Sequence, residues 1–192
     1  MLPSIRSMFL PVVLSAALAT APAFAQSSVP YAGENADEVM THLKSDASAE
    51  HKNILLTFGA SWCGNCRLFD RFLADPQIHP IIDRIFVVAD LAAGERASDK
   101  RHHNVSGAEK LLSSLGGKDT GFPYIAMLDP AGNLITDSLR PVGNRSSENT
   151  GYPDAPYEID WFMEMLNKAA PSLPAQDLAR IRSWLTAHSS AH

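Results

Sequence analysis

The sequence predicts an α/β protein in which a mixed β-sheet is flanked by helices. Three observations carry this. Short apolar runs at residues 54–58 (ILLTF) and 85–89 (IFVVA) have the length of strands buried on both faces of a sheet. Between them Leu68, Phe69, Phe72 and Leu73 recur at helical spacing, which gives a strand–helix–strand unit. A third run, 124–128 (YIAML), meets the turn-forming stretch 129–133 (DPAGN) and then Leu134-Ile135, so this pair reads as a hairpin.

The elements follow in order. Residues 1–25 carry one positive charge, Arg6, then an uncharged apolar stretch from Met8 to about Ala19, then Ala23-Phe24-Ala25. That is the layout of a secretory signal peptide cleaved after Ala25. The stretch is shorter than the roughly 18–20 apolar residues that cross a bilayer. Residues 26–192 are then the mature domain, exported to an oxidising compartment where two thiols can become a disulfide. Residues 26–33 read as a leader. Asn35 followed by Glu38 is a helix start, and Ala36, Val39, Met40, Leu43 and Ala47 continue it. Pro76 stops the helix that follows the first strand. Residues 91–122 form a long polar insertion with a helical piece around 108–115, ended by Gly116-Gly117. Residues 140–156 read as a polar loop. Ile159, Phe162, Met163 and Leu166 mark one helix, and Leu178, Ile181 and Leu185 mark an extra C-terminal one after Pro174. His188 and His192 fall in a terminal tail expected to fray.

Composition narrows the function. Hydrophobic residues make up 45 % and charged residues 19 % of 192, the range of a folded globular chain rather than a disordered one. The formal net charge of −5 supplies no basic footprint for phosphate, so no nucleic-acid partner is expected. Two cysteines are too few for a disulfide-rich scaffold.

Those two are Cys63 and Cys66, in the run Trp62-Cys63-Gly64-Asn65-Cys66, where an apolar strand turns into a helix. The placement has a chemical reason. Backbone N–H groups in a first helical turn lack intrahelical partners, and the helix dipole favours negative charge there. A Cys63 thiolate is stabilised in that position, and its pKa falls from about 8.5 toward neutrality. Cys66, three residues on, can close a small disulfide ring and resolve a mixed disulfide formed at Cys63. On this reading Cys63 is the exposed and activated member of the pair. The alternatives are a purely structural disulfide, or half of a zinc site completed by His102-His103.

The stretch 55–66 (LLTFGASWCGNC), with 121–125 (GFPYI) and 128–132 (LDPAG) further on, resembles the thioredoxin superfamily. The similarity covers roughly residues 35–170 and is greatest to exported bacterial thioredoxin-like proteins with an enlarged middle segment. It implies a thioredoxin-like fold, with the 91–122 insertion placed before a strand opened by a cis-proline at Pro123. It also implies thiol–disulfide oxidoreductase activity, with Cys63 and Cys66 catalytic and forming the redox-active disulfide. Trp62, Phe122 and Pro123 would line the substrate groove. Two departures stand out. Thioredoxins place a buried acid six residues before the first cysteine, and here that residue is Thr57. Phe122 is bulkier than the usual Thr, Ile or Val before the proline.

Other residues take plainer expectations. Trp62 packs over the cysteines. Arg67, Asp70 and Arg71 form a solvated helix face. Asp90 caps a loop at its strand's end. Met163 and Met165 pack the core. The sequence thus predicts a periplasmic oxidoreductase acting on protein thiols and disulfides, as a reductase, with a membrane or periplasmic redox partner. No metal or organic cofactor is required, and no stable membrane insertion is expected after cleavage. A thioredoxin-fold interaction module with a structural disulfide, or a dedicated reductase for metal-centre or cytochrome assembly, are the competing expectations.

Overall fold

A computed structural model describes residues 35–144 and 146–189, so the expected signal peptide and leader lie outside the described residues. Helix α1 (Ala36–Glu50) starts at Asn35, whose side chain accepts from the N–H groups of Asp37 and Glu38 while Glu38 reaches back to the Asn35 N–H. This reciprocal cap is the one the Asn-x-x-Glu spacing predicts. Strand β1 (Asn53–Gly59) follows, then α2 (Gly64–Ala74), a short α3 (His79–Asp83) and β2 (Phe86–Ala92). After a connection comes α4 (Ala108–Ser114), then the hairpin of β3 (Tyr124–Leu128) and β4 (Leu134–Asp137). Two three-residue strands, β5 (Leu139–Pro141) and β6 (Ser147–Asn149), pair inside what the sequence marks as a loop. Helices α5 (Pro156–Ala169) and α6 (Ala175–Ala187) close the described chain.

The main sheet has the order β2-β1-β3-β4. β1 runs parallel to β2 and antiparallel to β3, which makes the sheet mixed. The fold is thioredoxin-like, with the expected segment before β3 and the extra C-terminal helix in place.

Side-chain parity along the strands divides the core in two. Leu55, Phe86, Ile125 and Met127 face a layer built from α2, α3, α5 and α6, with Phe69, Phe72 and Phe162 at its centre. Ile54, Leu56, Phe58, Tyr124, Ala126 and Leu128 face the other way, onto α1 and α4. The alternation has a consequence for the site. Thr57 shares parity with Leu55, and Asp90 with Phe86 and Val88, so both point to the face that α2 covers. The two are register partners across the β1–β2 ladder.

Several expectations need correction. Asp90 caps no loop, because β2 continues to Ala92 and Asp90 lies inside a paired strand. The chain between Pro76 and the second strand holds α3, which has Pro80 in its first turn, where proline costs no hydrogen bond. His188 does not fray: its ring stacks on Trp184 at 3.8 Å between centroids, and its Nδ1 lies 2.7 Å from the Trp184 carbonyl. Met163 and Met165 are core residues, as expected.

Candidate active site

Strand β1 delivers the chain to the mouth of the site, and the turn after it ends at Cys63, the N-cap of α2. Cys63 and Cys66 are joined in a disulfide, their Cα atoms 5.3 Å apart. The Cys66 N–H donates to Sγ of Cys63 at 3.0 Å. An N-cap side chain commonly takes such a bond through oxygen. Here a sulfur takes it, and the same N–H, with the helix dipole, is aimed at the negative charge Cys63 would carry when reduced.

Exposure runs opposite to the sequence expectation. Cys63 is only 4 % exposed, whereas Cys66 is half-buried. Around Cys63 the chain after β2 is folded back as a strap. The Trp62 Nε1–H donates to the Gly94 carbonyl at 2.8 Å. Glu95 accepts from the Ser61 N–H at 2.5 Å and from its hydroxyl at 2.8 Å. The Arg96 guanidinium lies 5.1 Å from the Trp62 ring centroid. Phe122 meets Trp62 edge-on, with ring centroids 6.3 Å apart. Its ring lies so near Gly94 that a methyl group there would stand 2.0 Å from Cε2. Trp62, 45 % exposed, therefore presents a broad apolar face to solvent while its polar edge is tied to the strap.

The Phe122–Pro123 bond is cis. Phe122 meets the residue before Cys63, and Pro123 follows Phe122 directly. Sequence reasoning missed the support behind them. The Asn149 amide, at the end of β6, donates to the Gly121 carbonyl at 2.6 Å and to the Pro123 carbonyl at 3.0 Å. Its Oδ1 in turn accepts from the buried Ser138 hydroxyl at 2.6 Å, and Ser138 Oγ accepts from the Ile125 N–H. Two carbonyls beside the proline are therefore already engaged within the protein.

Near Cys66 lie polar groups that the sequence undervalued. Thr57, 4 % exposed, donates its hydroxyl to Oδ1 of Asp90 at 2.7 Å. Asp90 is an exposed residue, yet this oxygen lies against β1, at Thr57 and Gly59. Loss of hydration pushes the carboxyl above its ordinary range, and the Thr57 bond partly offsets that. Asp70, expected to be only a solvated residue, is likewise pushed up, first by loss of hydration and then by the Asp90 charge. Arg67 donates from Nη1 to the Ser61 carbonyl at 2.9 Å, so it braces the turn before Cys63. His102, considered as a zinc ligand, pairs through Nδ1 with Asp99 at 2.9 Å.

A sheet of this order with a cysteine pair capping its first crossover helix defines a thioredoxin-like protein. Residues 41–130 match the family described as thioredoxin-like, in keeping with the thioredoxin-like fold. No curated protein matches the chain. Similar solved structures include a disulphide isomerase from Xylella fastidiosa Temecula1, 23 % identical over 58 % of this chain and 80 % of that one, with a TM-score of 0.46. A DsbH oxidoreductase is 17 % identical, covers 83 % and 96 %, and has a TM-score of 0.44. The C-terminal domain of Neisseria meningitidis DsbD in its oxidised form is 19 % identical, covers 68 % and 96 %, and has a TM-score of 0.40.

Proposed function

We propose that the protein is a thiol–disulfide oxidoreductase acting on protein cysteines in the periplasm, and that it works as a reductase. One observation carries the reading: Sγ of Cys63 caps α2 and accepts the Cys66 N–H at 3.0 Å. In the reduced protein that bond favours the Cys63 thiolate, the form that attacks a disulfide. The thiolate bonds to one sulfur of the substrate and expels the other as a thiolate. Cys66 then attacks Sγ of Cys63, which closes the enzyme disulfide and releases the second substrate sulfur. The substrate gains two electrons and the cysteine pair loses them. A partner's thiols restore the pair, and the exchange itself needs no metal or organic cofactor. Trp62, Phe122 and Pro123 form the wall against which the substrate lies.

The direction rests on charge. Gly64 and Asn65 place no cation between the cysteines, and the carboxyls of Asp70 and Asp90 are grouped on α2's side of the sheet. Negative charge there disfavours a thiolate, hence favours the disulfide state of the pair and the reducing end of the family's range. Export rests on the signal-like pattern of residues 1–25, with residues 26–192 as the mature domain. None of the described helices is long and apolar enough to cross a membrane.

The test is a trap. Cys66→Ser should accumulate disulfide-linked adducts with protein substrates, and Cys63→Ser should give none. Adducts from neither variant would leave the disulfide structural and favour the interaction-module reading. Equilibration in glutathione buffers tests the direction. A potential near −270 mV fits a reductase, and one near −120 mV makes the protein a disulfide donor.

A further inference from the structure

We propose that Asp90 is the proton acceptor for Cys66 when that thiol resolves the mixed disulfide, with Thr57 holding the carboxylate in place. The inference rests on the thiol-exchange reading above and adds a residue to it. Resolution requires a proton to leave Cys66, because the thiol attacks far more slowly than the thiolate. The helix N-terminus cannot take that proton, and its stabilising N–H is spent on Cys63.

The geometry supplies an acceptor. Asp90 and Thr57 are partners across the β1–β2 ladder, and both project to the face that α2 covers. The Thr57 hydroxyl donates to Oδ1 of Asp90 at 2.7 Å, which fixes the direction of the carboxylate. Gly59, two residues further along β1, leaves the intervening room open. A methyl group on it would stand 3.0 Å from Sγ of Cys66 and 3.7 Å from that same Oδ1. The sulfur and the oxygen therefore flank one small space, a span that a direct contact or a bridging water covers. The titratable groups facing Asp90 from the packed elements are the Cys66 thiol and Asp70, both on α2, and β1 contributes the uncharged Thr57. Desolvation raises the Asp90 pKa, which brings it closer to that of a thiol and improves it as a base. The strand position six residues before Cys63 holds a hydroxyl that cannot take up a proton at neutral pH. The acid stands instead one strand away, on β2.

The step balances. Cys66–SH gives its proton to the Asp90 carboxylate as Sγ of Cys66 bonds to Sγ of Cys63. The bond from Cys63 to the substrate sulfur breaks, and that sulfur leaves as a thiolate. The thiolate is then protonated from the Asp90 carboxyl or from solvent, and the carboxylate is regenerated.

The experiment mixes reduced protein with glutathione disulfide, quenches with acid, and counts the reduced, singly glutathionylated and disulfide forms by mass spectrometry across pH 4–9. In the wild type, resolution should accelerate as pH rises through the Asp90 pKa. Asp90→Asn keeps an oxygen for Thr57 to donate to, so the fold is preserved. It should slow resolution about tenfold or more near neutral pH, lengthening the life of the glutathione adduct, and should erase that inflection. The first attack by Cys63 should be unchanged. Thr57→Val removes the bond that favours the charged carboxylate, so its inflection should move to higher pH. A merely structural Thr57–Asp90 pair would not move a pH profile in this way. Wild-type resolution rate and inflection in Asp90→Asn would overturn the proposal. A wild type that never forms the glutathione adduct would overturn the exchange reading itself.

Discussion

Replacing Gly94 by alanine tests whether the strap covers the site. The new methyl would lie 2.0, 2.7 and 2.9 Å from Cε2, Cζ and Cδ2 of Phe122, where carbon atoms in contact sit at about 3.5–4.0 Å. The ring cannot stay. It is held by its edge-on contact with Trp62 and by the proline that follows it. Either the ring leaves Trp62, or the strap lifts and loses the bonds from Trp62 to Gly94 and from Ser61 to Glu95. Overpacking of this kind costs about 1–3 kcal/mol, which for a chain of this size lowers Tm by about 2–12 °C. If the strap shields Cys63, both routes uncover it, and the reduced variant is alkylated faster than wild type at a fixed pH, with an unchanged thiol pKa. Thermal unfolding and an iodoacetamide time course read the two effects. Phe122→Ala removes the obstacle, so the cost of the Gly94 methyl should vanish in that background, with a coupling of about 1 kcal/mol or more. The reasoning fails if Gly94→Ala melts and reacts like wild type, or if its cost persists after Phe122 is truncated.

Two further outcomes follow from contacts away from the cysteines. Phe162 is 2 % exposed and meets Phe69 and Phe72 edge-on at 6.0 and 5.7 Å. Phe162→Ala should cost about 3–5 kcal/mol in denaturant unfolding with the slope unchanged. Asp99 has its carboxyl lowered to about 2, first by the His102 ring and then by the Arg101 N–H. A folded pKa below the unfolded one means that this contribution to stability is present above about pH 4 and is lost as pH falls through about 2. His102→Ala should return the Asp99 carboxyl toward its ordinary 3.8 in an NMR titration, and an unmoved titration would show that the ring is not the cause.

Much of the fold was legible because each strand is an uninterrupted apolar run and each main helix an apolar stripe. Leu55 and Phe58 announce β1, and Asn35 with Glu38 announces α1. The cysteine pair was legible for a local reason: a CxxC at a strand-to-helix junction meets free N–H groups wherever the chain goes next. The rest depends on contacts between residues distant in sequence. Thr57 and Asp90 are 33 residues apart. Only the ladder register shows that they touch, and periodicity carries no register between strands. The strap lacks both periods, and its bonds from Trp62 to Gly94 and from Ser61 to Glu95 span more than thirty residues. Cys63 looked exposed because sequence places it in a turn, yet it is only 4 % exposed in the folded chain. The β5–β6 pair escaped notice because three-residue polar strands carry no hydrophobic alternation. Asn149, which braces the loop at Pro123 from there, escaped with it.

The titration of Cys63 in the Cys66→Ser variant tests the central claim most directly. The substitution leaves in place the residue 66 N–H that donates to the Cys63 sulfur, and it removes the competing thiol. Iodoacetamide reaction rates taken across pH should show a single inflection near about 7, well below the ordinary cysteine value of about 8.5. A Cys63 that titrates at 8.5 or above would mean that the helix cap does not activate the sulfur, and the pair would then be a structural disulfide.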